Sequence, residues 1–139
     1  SKAVQDGGLV KEYVALVHGT PPESGDWEDL LFKDSSKNKV FVVKKERKGV
    51  KKARLEFKTI RSGEDSLVRI RLHTGRTHQI RAQFSGRGYP LVGDRKYGTI
   101  ESNCEIALWS YRLAFKHPYS GKPMEFVVEP PMDYPWSIC

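Results

Sequence analysis

The sequence predicts an α+β fold: a mixed, mostly antiparallel sheet with few helices. Three observations predict it. Several segments alternate apolar and polar residues with a period of two, as in "ARLEFKTI" and "SLVRIRLHT". Short turn signals such as "RSGED" and "HPYSGK" separate those segments. One segment alone, Thr77 to Gly86, changes to a helical period.

The elements follow in chain order. "SKAVQDGG" reads as the end of a helix running into a Gly-Gly break. Leu9 to His18 is a strand, closed by Gly19 and the Pro21-Pro22 pair. Tyr13, Ala15 and Val17 share one of its faces, and Val14 and Leu16 the other. Both faces are largely apolar, which predicts an interior strand covered on both sides. "ESGDWEDLLFKD" reads as a turn followed by a short apolar segment. "NKVFVVKK" is a second strand, and "ERKGVKK" is a basic turn with Gly49 at its tip.

The next two strands form an antiparallel hairpin. Ala53, Leu55, Phe57 and Thr59 face one way on the first, with Arg54, Glu56 and Lys58 opposite. Val68, Ile70 and Leu72 point inward on the second, and Arg69 and Arg71 outward. The helix over Thr77–Gly86 puts Ile80 and Phe84 four apart on one face. "RGYPLVGDRKYG" is a loop, within which Asp94 reads as part of a turn. Strands over Ile106–Lys116 and Pro123–Glu129 close the pattern, and "PPMDYPW" is an extended strap. No repeat or low-complexity block interrupts the chain, so its 139 residues read as one domain or a large piece of one.

Composition narrows the function. A formal charge of +7, from 24 basic and 17 acidic residues, favours an anionic partner, most simply nucleic acid. The bland alternative is a basic but unspecialised surface. No apolar run has the length of a membrane helix, and Ser1 to Lys11 holds no apolar block of signal-peptide length. Cys104 and Cys139 lack CxxC spacing and read as free thiols in a reducing compartment. The expectation is an intracellular protein, cytoplasmic first, with an organelle left open, and a monomer. Four scattered histidines without an HxxxH pair argue against zinc. The Walker, Rossmann and GxSxG spacings are all absent.

What remains is "TGRTHQIR", where a strand gives way to a helix through Gly75. A helix start offers free N–H groups and a positive dipole end. Arg76, His78, Gln79 and Arg81 project from its first turns, a set suited to phosphate, to carboxylate, or to both. The residues alone leave Arg81 with two readings: it holds a buried carboxylate ionised, or it caps a strand end structurally.

The run "TGRTHQIRAQFSGRGYPLVGDRKYG" closely resembles the signature of the RluA-type pseudouridine synthases, in which TGRxHQIR is followed by GHP-like and VGDxxYG elements. "KEYVALVHG" resembles that family's second motif, and "IALWSYRLAFKHPYSGKPMEF" its closing strands. The resemblance extends from about Lys11 to Trp136. Tyr89 stands where the family usually has a histidine. A larger departure is the family's HRLDxxTSG motif, which carries its catalytic aspartate and precedes the KxYxA strand. It does not occur here, and Asp6, Asp26, Asp29, Asp34, Asp65, Asp94 and Asp133 all lie in other contexts. The chain therefore reads as the C-terminal portion of a pseudouridine synthase catalytic domain, incomplete and by itself inactive.

The resemblance implies a cofactor-free isomerisation of uridine in ribosomal or transfer RNA. The nucleotide is flipped out of its stack. The bond from base N1 to ribose breaks, the base turns, and it rejoins through C5. Tyr13 inherits the role of stacking on the base and assisting proton removal. Arg81 inherits that of pairing with the aspartate, which without a cation would gain a proton and lose nucleophilicity. Arg76, His78, Gln79, Arg87, Arg95 and Lys96 are the expected RNA contacts. The alternative from another class is a non-catalytic RNA-binding protein that kept this fold.

Overall fold

The computed structural model describes residues 9–98 and 105–129. Its frame is a seven-stranded sheet: β1 (Leu9–His18), β2 (Ser24–Asp34), β3 (Lys39–Val43), β4 (Val50–Arg61), β5 (Asp65–Leu72), β6 (Leu108–Lys116) and β7 (Pro123–Val127). Among the described residues a single helix, α1 (Gln79–Gly86), interrupts the strands. The strand order is β3-β2-β4-β5-β1-β6-β7, and every pairing among the described residues is antiparallel. The α+β class and the mostly antiparallel sheet expected from the sequence are therefore present. The tail "PPMDYPW", the start "SKAVQDGG" and both cysteines lie outside the described residues.

The alternation of β4 and β5 sets the core. Leu55, Phe57, Val68, Ile70 and Leu72 are buried on one face with Ala15 and Val17 of β1, and Ile80 and Phe84 of α1 close over them. Trp27 joins from β2, its ring centroid 4.4 Å from that of Phe57 and 4.7 Å from that of Phe84. Burying a side chain the size of Phe84 contributes roughly 2–3 kcal/mol. Gly25 has a steric reason: a Cβ there would lie 2.4 Å from the Phe57 ring. Leu16, on the opposite face of β1, packs with Val92 and Ala107, so this strand is covered on both sides as its apolar pattern predicts.

Several boundaries differ from the sequence reading. "ESGDWEDLLFKD" is no turn: it contains the whole of β2, paired on both edges. Its alternation is hidden because Asp29 shares the Trp27 and Leu31 face, where Arg87 and Gln83 bind it, while Phe32 turns outward beneath the Arg47 guanidinium. The basic turn "ERKGVKK" is shorter than expected, since β4 already begins at Val50. The helix starts at Gln79, two residues after the expected Thr77, because His78 is left-handed with φ 50°. The last two strands are trimmed at their ends, to Leu108 and to Val127.

Candidate active site

The junction from β5 to α1 is held down by one buried amide. Gln79 Oε1 accepts hydrogen bonds from Thr74 Oγ1 (2.7 Å) and from the backbone N–H of Arg76 (3.0 Å). Gln79 Nε2 donates to the Arg54 carbonyl on β4 at 3.0 Å. Gln79 is 2% exposed and each end of its amide is occupied. It thus clamps the Thr74–Arg76 loop to the sheet, and is not presented at the surface as an RNA contact would be. Arg76 lies along β4, its Nε donating to the Lys52 carbonyl at 2.8 Å.

His78 follows in a conformation that costs a non-glycine residue of order 1–3 kcal/mol, though histidine enters it more readily than most. Tyr97 secures it. The Tyr97 hydroxyl accepts the Val40 N–H at 2.8 Å and lies 2.8 Å from His78 Nδ1. Burial lowers the His78 pKa, the charges of Arg81, Lys96 and Lys33 lower it further, and Asp94 opposes them. The imidazole is therefore held toward its neutral form.

Arg81, one turn on, is gripped along one edge. Its Nε donates to Asp94 Oδ2 at 2.8 Å and its Nη2 to Asp94 Oδ1 at 2.9 Å. The same Oδ1 accepts the backbone N–H groups of Lys96 (3.2 Å) and Tyr97 (3.1 Å). Burial by itself would raise the Asp94 pKa, but Arg81 and these two N–H groups outweigh it and hold the carboxyl below its ordinary value. The Asp94 hydrogen bond likewise raises Arg81 above the ordinary guanidinium value, against the burial that opposes it. The Arg81 guanidinium also lies 4.8 Å from the Tyr97 ring centroid. Gly98 makes the turn possible, since its N–H bonds the Asp94 carbonyl and a Cβ there would sit 2.5 Å from that oxygen. The turn read around Asp94 is real. The arginine it anchors was the unread part.

Tyr13 and Arg81 line one cleft of about 150 Å³, with Leu72, Arg76, His78, Gln79, Ile80 and Leu108. Tyr13 enters from β1, opposite Ile70 on β5, beside an irregularity in the β1–β6 register between Glu12 and Tyr13. The structure thus brings together Tyr13, Arg81, Arg76, His78 and Gln79. It does not bring Arg87, Arg95 or Lys96 to this cleft. Arg87, past the far end of α1, grips Asp29 through Nη1 (2.6 Å) and Nη2 (3.2 Å) and stacks 4.3 Å from the Trp27 ring centroid. Lys96 Nζ donates to the Asn38 carbonyl at 2.7 Å, and Arg95 is exposed.

Among the described residues no aspartate lines the cleft. Asp26 is bound by Arg54, Asp29 by Arg87, Asp65 by His18 and Asp94 by Arg81, while Asp34 caps its own turn. No group of histidine, cysteine and acidic side chains suited to a metal occurs among the described residues. No helix among them is long and apolar enough to cross a membrane. Sequence reasoning missed Asp94, Tyr97 and Thr74 as members of the site. The signal for the first two was the "GDRKY" spacing, which places a carboxylate, a turn and an aromatic in sequence.

The chain is similar to known proteins in sequence and in fold. The profile of the family described as RNA pseudouridylate synthase matches residues 1–86. An uncharacterized RNA pseudouridine synthase of Chloroflexus aurantiacus is 37% identical over 128 residues, covering 88% of this chain and 39% of its own. Ribosomal large subunit pseudouridine synthase D of Zymomonas mobilis is 32% identical, covering 92% of this chain and 44% of its own. The chain thus spans about two-fifths of the length of these curated relatives. The structure of human RNA Pseudouridylate Synthase Domain Containing 1 superposes with a TM-score of 0.78 at 20% identity, covering 97% of this chain and 60% of that one, and so shares the fold. The chain belongs to the RNA pseudouridylate synthase family, of the RluA type.

Proposed function

We propose that this chain supplies the tyrosine and arginine of an RNA pseudouridine synthase active site, whose nucleophilic aspartate comes from an HRLD-type segment of the whole protein. One observation carries the reading: Tyr13 and Arg81 face the same cleft, and Asp94 holds Arg81 by its Nε–Nη2 edge alone. A guanidinium has five donors. Nη1 and the second Nη2 hydrogen are left for a further carboxylate or for a phosphate. Asp94 fixes the direction of that free edge and keeps the cation in place before substrate arrives. A carboxylate placed against it stays ionised at neutral pH, as a nucleophile at ribose C1′ must be.

Tyr13 offers the cleft an aromatic face, and its hydroxyl has no hydrogen-bond partner among the described residues. The phenol is thereby available to the base. In the reaction the N1–C1′ bond breaks and a C5–C1′ bond forms. C5 loses a proton and N1 gains one, so no oxidant, metal or cofactor is required. The substrate is uridine in ribosomal or transfer RNA, and the enzyme acts as a cytoplasmic monomer with a single catalytic domain.

Release of tritium from C5-labelled uridine in RNA tests this reading. The full-length protein is expected to release it. Tyr13→Phe is expected to lose roughly 100-fold or more in rate, the range of a positioned proton-transfer group, while melting as the parent does. A fully active Tyr13→Phe protein would remove Tyr13 from the chemistry. Turnover by the 139-residue chain alone would place the nucleophile within it.

A further inference from the structure

Several cations in this molecule are already engaged. Arg54 holds Asp26, Arg81 holds Asp94, Arg87 holds Asp29, and Arg69 and Arg112 share Glu12. Lys52 pairs with Glu28, and Lys96 bonds a carbonyl. Lys33 and Lys51 are among those that are not. Both are exposed, and neither makes an ion pair or a hydrogen bond through its ammonium among the described residues.

These two lysines border a second hollow on the helix-bearing side of the sheet. Leu31 and Val40, both nearly fully buried, are its floor. Lys33, Lys51 and Arg76 stand around it, with Gly49, Gly75 and Thr77 completing the wall. None of these lining residues is acidic. At about 170 Å³ and open to solvent, the hollow is too shallow to enclose a small molecule, for which several hundred Å³ is usual.

Arg76 connects the two sites, because it lines both this hollow and the cleft that holds Tyr13 and Arg81. The Gly75–His78 loop is the ridge between them. Gln79 anchors that ridge from beneath, so Arg76 stands on a fixed support. An apolar floor, cationic walls and no carboxylate suit a nucleic-acid strand, with ribose or base over the floor and phosphates at the lysines. An acidic peptide would satisfy the charges, but would give the shared ridge no reason.

We propose that the Lys33–Lys51–Arg76 hollow is a phosphate track that carries the single-stranded RNA flanking the target nucleotide over the Gly75–His78 ridge and away from the cleft. This rests on the proposed function for the identity of the cleft, and it moves the main RNA contacts from Arg87, Arg95 and Lys96 to β2 and β4. The occupant is a polyanion whose length exceeds the hollow. Free phosphate would meet the same lysines but would not span the ridge.

The test is the salt dependence of RNA binding by the full-length protein. The probe is an oligouridylate of about twelve nucleotides, within the span that a single-strand surface covers. Each lost phosphate contact removes about 0.7 from the slope of log affinity against log salt, so Lys33→Gln with Lys51→Gln is expected to flatten it by about 1.4. Melting is expected to be unchanged, since neither ammonium has a partner to lose. Lys116→Gln with Lys122→Gln, at the far edge of the sheet, removes equal charge and is expected to leave the slope nearly intact. Equal flattening in both pairs would reduce the effect to net charge, and no flattening in the first pair would remove the track; either result overturns the proposal. If inorganic phosphate competes with the probe no better than sulfate or chloride at matched ionic strength, the strand is bound as a polymer, as proposed. Competition by millimolar phosphate alone would show an isolated anion site instead. Because the readout is binding, loss of the track and loss of tritium release are separable: a protein without turnover can still show the slope change, and an active enzyme can lack it.

Discussion

Arg81 and Arg87 lie at opposite ends of one short helix, and each grips an aspartate with two hydrogen bonds. Their chemistry is nearly the same and their surroundings are not. Asp94 is fully buried and also carries two backbone N–H groups, so the pair Arg81–Asp94 organises a turn. Asp29 sits on a strand, is 14% exposed, and shares its load with Gln83. Arg81 has a donor edge left over at a cleft, whereas Arg87 is spread over the Trp27 ring. An arginine–carboxylate pair is thus not itself a sign of function. What distinguishes Arg81 is the unused edge and the tyrosine across from it.

The largest difference between the two ends should appear when each arginine loses its aspartate. Asp94→Ala leaves a partly buried guanidinium alone and frees the N–H groups of Lys96 and Tyr97. It should cost roughly 3–5 kcal/mol, the range for breaking a buried pair. Asp29→Ala should cost clearly less, because Arg87 is 30% exposed and keeps its stacking on Trp27. Urea unfolding of both variants measures the gap. Equal costs would mean that the buried turn adds nothing to its ion pair. The sign with pH is fixed as well. The Asp94 pKa is lowered by folding, so its contribution is whole above the unfolded carboxyl value of about 4 and is lost as pH falls below it.

A smaller effect sharpens the contrast at the cleft end alone. His78 is held below its ordinary pKa, first by burial and then by Arg81, Lys96 and Lys33. The unfolded chain therefore takes up a proton first as pH falls. The stability this group contributes is whole above about pH 6.5 and declines below it. His78→Asn keeps a residue that tolerates the left-handed backbone and removes the titration. Its melting temperature should fall less than the parent's between pH 7.5 and 5.5. His18 and His73 are common to both proteins and cancel in the comparison. Parallel curves would show that His78 titrates as it does in the unfolded chain.

The same contrast explains what could be read without coordinates. The β4–β5 hairpin was legible because Leu55, Phe57, Val68 and Ile70 alternate without exception. So was α1, from Ile80 and Phe84. Strand β2 was not, because Asp29 points to the core side, where Arg87 and Gln83, distant in sequence, make a carboxylate tolerable. The helix start was misplaced by two residues because the left-handed turn at His78 depends on Tyr97, nineteen residues away. Tyr13 and Arg81 could be nominated from motifs, and the structure puts them in one cleft. The cations named with them were chosen by charge and nearness in sequence. Charge says nothing about whether a carboxylate or a carbonyl has already claimed the side chain, as Asp29 has claimed Arg87 and the Asn38 carbonyl Lys96.

The central claim is that Arg81 serves the reaction and Arg87 the fold, and one matched pair of substitutions tests it. Arg81→Lys and Arg87→Lys each keep a positive charge and lose the planar fork. Tritium release at saturating RNA and a thermal melt are measured for both in the full-length protein. Arg81→Lys is expected to lower turnover by roughly 100-fold or more, as removal of a positioned charge-stabilising donor does, with RNA affinity little changed. Arg87→Lys is expected to lower the melting temperature and leave turnover per folded molecule near that of the parent. Near-parental turnover in Arg81→Lys, or an equal loss of turnover in Arg87→Lys, would contradict the account.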